Sequence, residues 1–277
     1  MVAPLMEGRR MKSSLLARIG SVALMAAVAA CAQRAPATIA VLVPSATPSA
    51  ATTRRSPVAD ARQLVVVTTL AWDSTSGTLR RFARGASGGA WQPVGAEVPI
   101  VVGQTGLAWD AALALGQPGE PVKREGDGKS PAGAFALDTA FGFQIGQIMP
   151  WVRLPYLQLR NTTECVDDAG SQFYNTIVDR EQVTRVDWKS SERMREIDQY
   201  ALGVHVRYNG TPPRRGGGSC IFLHIWAGPR SVTAGCTAME RSALEEIVRW
   251  LDPREQPMIV QLPVGALSTV RSAWGLP

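Results

Sequence analysis

The stretch SCIFLHIWAGPRSVTAGCTAM, residues 219–239, contains the features on which the fold and the chemistry of this chain depend. Its run IFLHIW consists of large apolar residues around one histidine, which predicts a buried strand. The loop that follows contains Gly235 and turns the chain back towards the strand. The stretch holds two of the four cysteines, Cys220 and Cys236, and one of the two histidines, His224. It therefore predicts a thiol and an imidazole that meet across a turn.

The sequence on both sides of this stretch indicates one mainly β domain with short helices, over residues 63–277. β-Branched runs at 63–72 and 257–263 predict buried strands, and Gly- and Pro-containing turns separate further strands between them. Residues 237–251 predict the longest helix, because their apolar side chains recur on one face, and residues 190–201 predict a shorter one. The 277 residues and 45% hydrophobic content suffice for a buried core.

The charge of the chain does not indicate a nucleic-acid partner. The formal net charge is +6, but residues 1–30 contain four of the 29 basic residues and one of the 23 acidic residues, so the rest carries only half of that charge. No run of Lys and Arg with interleaved aromatic residues occurs, and the GDGK sequence at 126–129 lacks the spacing of a phosphate-binding loop. We therefore predict no nucleic-acid partner, and a mildly basic protein is compatible with a polyanionic bacterial wall.

The N-terminal segment has the pattern of an export signal. From Met11, which we interpret as the true start, a basic region precedes an apolar stretch too short to span a membrane comfortably, and small residues then precede Cys31. This ending resembles the lipobox of bacterial lipoproteins, in which the cysteine thiol takes a diacylglycerol and cleavage falls just before it. We therefore predict a signal peptide at 1–30 and a lipidated Cys31, with an ordinary cleaved signal peptide or an uncleaved anchor as alternatives.

Residues 31–62 are rich in Ala, Pro, Thr and Ser and contain few large apolar side chains. Such a segment cannot bury enough surface to offset its ordering entropy, so it predicts a flexible linker. In bacterial lipoproteins, an aspartate at the position of Ala32 would favour retention at the inner membrane. The predicted location is therefore the cell envelope, as a periplasmic lipoprotein attached to the outer membrane through the lipid on Cys31.

The remaining three cysteines differ in their surroundings. Cysteines of exported proteins usually pair, and an odd number leaves one thiol unpaired. Cys165 lies in a polar loop, Cys220 begins an apolar strand, and Cys236 lies in a loop with Gly235. The simplest assignment is a disulfide between Cys165 and Cys220 with a free Cys236, while a different pairing and three structural thiols stay open. No spacing typical of a metal site occurs, so we predict no metal.

Cys236 is the candidate nucleophile because it precedes the predicted helix. A helix N-terminus favours the thiolate, and the backbone N–H groups of Gly235 and Cys236 can stabilise an oxyanion. His224 is the candidate acid and base, with a satisfied core histidine as the alternative. The residue after it is Ile225, so any orienting contact to the imidazole must come from a backbone carbonyl.

This arrangement resembles the catalytic motif of the L,D-transpeptidase family, the YkuD-like domain: a histidine, a spacer, and then Ser/Thr-His-Gly-Cys. The corresponding residues are His224 and Thr233 to Cys236, while EGDGKSPAGAFAL, residues 125–137, resembles an upstream segment of the family. The resemblance covers most of residues 63–277 and implies a β-sandwich. Two features depart from the pattern, since only 12 positions separate His224 from Cys236, and Ala234 replaces the second histidine.

The resemblance implies cysteine acyl transfer on peptidoglycan, at the diaminopimelate–D-alanine bond of a tetrapeptide stem, without a cofactor. Hydrolysis of the same bond by a carboxypeptidase or endopeptidase, and a catalytically silent wall-binding lipoprotein, are the alternatives. Peptidoglycan stem peptides are the expected partners. Candidate contacts to the anionic stem, chosen for their closeness to the motifs in the sequence, are Thr233, Arg124, Trp226 and Arg230.

Overall fold

The computed structural model describes residues 55–86, 88–113 and 115–277. The predicted signal peptide, Cys31 and the linker up to residue 54 lie outside the described residues, and their predictions stay predictions. Residues 55–62, the end of the predicted linker, are part of the domain instead, because Val58 and Ala61 are buried in its core. No helix in the described ranges combines the length and the apolar character that crossing a membrane requires.

Strands form most of the regular structure in the described ranges. The strands are β1 (Gln63–Thr69), β2 (Ser76–Ala83), β3 (Gln92–Val101), β4 (Leu107–Trp109), β5 (Ser130–Gly142), β6 (Tyr156–Gln158), β7 (Thr163–Cys165), β8 (Ile177–Asp179), β9 (Glu192–Arg193), β10 (Leu202–Val206), β11 (Phe222–Ile225), β12 (Thr237–Met239) and β13 (Met258–Pro263). The α-helices are α1 (Arg241–Trp250) and α2 (Val264–Trp274). The mainly β class is therefore confirmed, whereas α2 was not predicted.

The large sheet closes on itself. Its strands pair in the order β10, β11, β12, β3, β2, β1, β13 and β5, and β5 also pairs with β10. The sheet is therefore barrel-like, and the predicted β-sandwich is not confirmed. Closure removes the exposed edges that an open sheet would leave, while the short strands β4 and β6 add to β5.

Helix α1 follows the predicted apolar face but begins later than predicted. Leu244, Ile247 and Val248 are buried, and the Glu240 side chain caps the helix by accepting hydrogen bonds from the first-turn backbone. Residues 237–239 instead form β12, which pairs in parallel with β11 and antiparallel with β3. Sheet pairing therefore takes the three residues that the sequence pattern assigned to the helix.

Residues 143–201, here called the cap, lie between β5 and β10. They contain the small sheet formed by β8, β7 and β9. The helix predicted at 190–201 is wrong, because β9 pairs with β7 and two 3₁₀ turns follow, Met194–Glu196 and Asp198–Ala201. A twelve-residue segment has little helical stability of its own, so contacts with the rest of the cap decide its conformation.

A disulfide attaches the cap to the barrel. Cys165 of β7 and Cys220, just before β11, have Cα atoms 5.9 Å apart and are 55 positions apart in sequence. Cys236 is the free cysteine of the described residues and is buried. The predicted assignment of the three cysteines is therefore confirmed.

Candidate active site

The parallel pairing of β11 and β12 brings the imidazole and the thiol onto one side of the sheet. His224 lies opposite Ala238, and Leu223 lies opposite Thr237. Cys236 directly precedes β12, and its Sγ accepts a hydrogen bond of 3.3 Å from the Phe222 backbone N–H. Because side chains alternate along a strand, His224 and Cys236 project from the same face of neighbouring strands.

The Cys236 thiol is buried and protonated in the resting site. It donates to the backbone carbonyl of Cys220 at 3.4 Å. Burial raises the pKa of the thiol well above its usual range, and Glu192, when ionised, adds to that effect. Helix α1 begins at Arg241, beyond β12, so the predicted lowering of the thiol pKa by a helix N-terminus is wrong.

His224 is held in a single orientation by a backbone carbonyl, as predicted. Its Nδ1 lies 2.8 Å from the carbonyl oxygen of Ile225, and since a carbonyl only accepts, Nδ1 carries the proton. Burial lowers the pKa of the imidazole to about 4, so His224 is neutral near pH 7 and its Nε2 is an acceptor. Within the described residues, His224 and Cys236 share no hydrogen bond.

Two hydroxyl groups anchor the backbone of the nucleophile. Ser130 Oγ and Thr233 Oγ1 both donate to the carbonyl of Cys236, at 2.8 and 2.6 Å. Thr233 Oγ1 also accepts a hydrogen bond of 3.1 Å from the Gly235 N–H. The Gly235 N–H is therefore already bonded, contrary to the prediction that it is available to an oxyanion. The N–H of Cys236 donates to no acceptor among the described residues, and it is the remaining candidate for that role.

Two cavities approach the loop that carries Cys236. The first, of about 200 Å³, is lined by His224, Trp226 and Thr233 among others. The second, of about 180 Å³, is lined by Glu192 and by further charged residues. Ala234 lines both, so the position at which the family pattern has a histidine borders each of the two cavities.

The sequence of the domain matches the model of a known protein family. The family model of the L,D-transpeptidase catalytic domain, YkuD, matches residues 92–260, which is more than half of the chain. The chain belongs to the YkuD family. Its members are cysteine-dependent enzymes that modify peptidoglycan. No curated protein and no solved structure matches the chain.

Of the four residues predicted to contact the stem in this YkuD domain, two line the first cavity and two line neither cavity. Trp226 and Thr233 line the first cavity, although the Thr233 hydroxyl is already bonded within the loop. Arg124 and Arg230 are exposed and line neither cavity. Among the described residues, no group of three or more His, Cys, Asp or Glu side chains is arranged to bind a metal ion.

Sequence reasoning missed a cluster of aromatic residues from the cap and the barrel. The Tyr200 ring packs edge-to-face against Phe222, Phe141 and His224, with centroids 5.3, 5.7 and 5.2 Å apart. Gly203, opposite His224 in β10, leaves room for this cluster, because a Cβ there would lie 2.2 Å from Phe141 Cζ. Tyr200 is the residue from which this cluster could have been predicted. The helix predicted for residues 190–201 gave its side chain a different position.

Proposed function

We propose that this YkuD-family protein is a peptidoglycan L,D-transpeptidase whose nucleophile is Cys236. It would act at the diaminopimelate–D-alanine bond of a tetrapeptide stem. The observation that carries the proposal is that the free thiol and a neutral imidazole lie on the same face of two neighbouring parallel strands.

The chemistry begins with two neutral groups. The thiol proton passes to Nε2 of His224 after Cys236 Sγ turns from the Cys220 carbonyl towards the first cavity. The sulfur attacks the stem carbonyl, and the Cys236 N–H stabilises the oxyanion. The imidazolium then protonates the leaving D-alanine nitrogen as the C–N bond breaks, which leaves a thioester on Cys236 and a neutral His224.

The acceptor decides between transfer and hydrolysis. An amine from a second stem gives a cross-link, and a free D-amino acid gives an exchanged stem. Water gives the carboxypeptidase or endopeptidase reaction at the same thioester. Neutral His224 accepts a proton from any of these acceptors, so the imidazole serves both reactions.

The protein is further proposed to be an envelope lipoprotein attached through Cys31, with residues 31–54 as a linker from membrane to wall. This part rests on the sequence alone. Mass spectrometry of the mature protein is expected to find a diacylglyceryl group on Cys31, and Cys31→Ser should release the protein from the membrane fraction. An unmodified cysteine and a soluble mature protein would favour ordinary secretion.

Purified muropeptides with tetrapeptide stems test the activity by mass spectrometry. The wild type is expected to release D-alanine and form 3→3 cross-links, whereas Cys236→Ser forms neither. His224→Gln should behave like Cys236→Ser, and His205→Gln is the matched control because His205 pairs with Asp138 outside both cavities. D-Alanine release without cross-links would indicate hydrolysis. No product and no thioester adduct in the wild type would leave only the silent wall-binding alternative.

A further inference from the structure

Tyr200 lies between the two groups of the proposed reaction and a glutamate that the reaction does not use. Its hydroxyl donates to Glu192 Oε2 at 2.7 Å, and its side chain belongs to the same buried cluster as Cys236. Its ring edge packs against His224. One cap side chain thus shares a buried cluster with the candidate nucleophile, packs against the candidate base and hydrogen-bonds to a buried carboxyl group.

The position of Glu192 is fixed by the fold of the cap. Glu192 lies directly opposite Cys165 in the pairing of β9 with β7. Cys165 is bonded to Cys220, whose backbone carbonyl accepts the hydrogen bond from the Cys236 thiol. The disulfide therefore holds the glutamate and the nucleophile on the two sides of Tyr200.

The surroundings of Glu192 oppose its ionisation. Asp167 and Glu125 line the same cavity, and Asp167 Oδ1 is buried without a hydrogen-bond partner among the described residues. The nearby ammonium of Lys123 is already paired with Asp127 at 2.7 Å. Burial, together with the charges of Asp167 and Glu125, raises the pKa of Glu192 to about 7.

Counting protons shows what the thiolate of Cys236 requires. The Tyr200 hydroxyl has one proton, so it can donate to an ionised Glu192 or to a thiolate, but not to both. An ionised Glu192 also places a second negative charge beside the thiolate. A protonated Glu192 removes both conflicts, because it donates its own proton to Tyr200 Oη and leaves the Tyr200 proton for the sulfur.

We propose that Glu192, as a neutral carboxylic acid, is a positioning residue for the Cys236 thiolate, acting through the hydroxyl of Tyr200. The thiol proton still goes to His224, and Glu192 keeps its own proton throughout. The inference rests on the proposed role of Cys236 as the nucleophile.

Ionisation of Glu192 gives the site an unusual pH dependence. An ordinary thiol becomes more reactive as the pH rises, because more of it is thiolate. Here, the rise from pH 6 to pH 8 also ionises Glu192, which withdraws the Tyr200 donor from the sulfur. The reactivity of Cys236 should therefore rise less steeply across this range than that of an ordinary thiol.

The probe is iodoacetamide, and the readout is the alkylation rate of Cys236 in the full purified protein, followed by mass spectrometry from pH 5.5 to 9. Glu192→Gln keeps the size of the side chain and supplies a permanent amide donor to Tyr200. We expect Glu192→Gln to react about tenfold faster than the wild type at pH 8 and to lose the shallow region near pH 7. Adding Tyr200→Phe should abolish the gain, while Glu196→Gln, a matched exposed change on the same segment, should match the wild type.

Two results would overturn the inference. A slower Glu192→Gln protein at every pH would mean that the ionised carboxylate is needed as a base. Parallel profiles for Glu192→Gln and the wild type would mean that Glu192 has only a structural role. Alkylation needs no peptidoglycan, so the expected Glu192→Gln profile in a protein that leaves muropeptides unchanged would separate failure of the proposed function from failure of this inference.

Discussion

Removal of the Cys165–Cys220 disulfide should lower the free energy of unfolding by about 4 kcal/mol. The bond closes a segment of 55 positions, and the chain entropy that such a loop loses in the unfolded state corresponds to about this value at 25 °C. For a domain of this size, each kcal/mol changes the melting temperature by about 2–4 °C. The expected decrease is therefore about 8–16 °C.

Thermal and urea unfolding of a Cys165→Ala/Cys220→Ala double variant, followed by circular dichroism, measures this effect. A reductant should lower the melting temperature of the wild type and leave that of the double variant unchanged. Cys236→Ala, which removes the free cysteine, is the control for cysteine loss as such. A melting temperature within about 2 °C of the wild type would show that the bridge does not constrain the unfolded chain as the loop-entropy argument requires.

Three further predictions concern single side chains. Ser130→Ala removes one of two donors to the Cys236 carbonyl and the acceptor of the Gly103 N–H. It should lower the free energy of unfolding measured in urea by about 1–3 kcal/mol. An unchanged free energy would mean that this hydrogen bond is dispensable. His224→Gln should slow D-alanine release at least about a hundredfold with little change in melting temperature. Hydrogen bonds from the Arg254 side chain lower the pKa of Asp252 to about 2, so the stability that Asp252 contributes is complete above about pH 4 and is lost as the pH falls through 2. The melting-temperature difference between the wild type and Asp252→Asn should narrow over that range, and a constant difference would contradict the assignment.

The cysteine arrangement was predictable from the sequence because few arrangements are chemically sensible. Export and an odd number of thiols limit the possibilities, and the contexts of Cys165 and Cys220 favour one pair. The orienting carbonyl of His224 was predictable as well, since Ile225 offers no polar side chain. These predictions used local chemistry and did not require the barrel.

The surroundings of the nucleophile were not predictable because they depend on pairing between distant strands. Residues 237–239 continue an apolar pattern that also suits a helix, and only the pairing with β3 and β11 makes them a strand. Glu192 and Tyr200 lie in the segment 190–201, for which the sequence predicts a short helix. The pairing of β9 with β7 places Glu192 opposite Cys165, and Tyr200 shares a buried cluster with Cys236; a helical pattern predicts neither.

The hydrogen bond from Ser130 to the Cys236 carbonyl joins two segments that are 106 positions apart. Both segments resemble the pattern of the family, and the Ser130 hydroxyl links them directly. A transplant of residues 219–239 alone into another barrel would leave the nucleophile loop with only its own Thr233 donor. The smallest portable form of this active site is therefore discontinuous, and an engineered version must carry the start of β5 together with the cysteine loop.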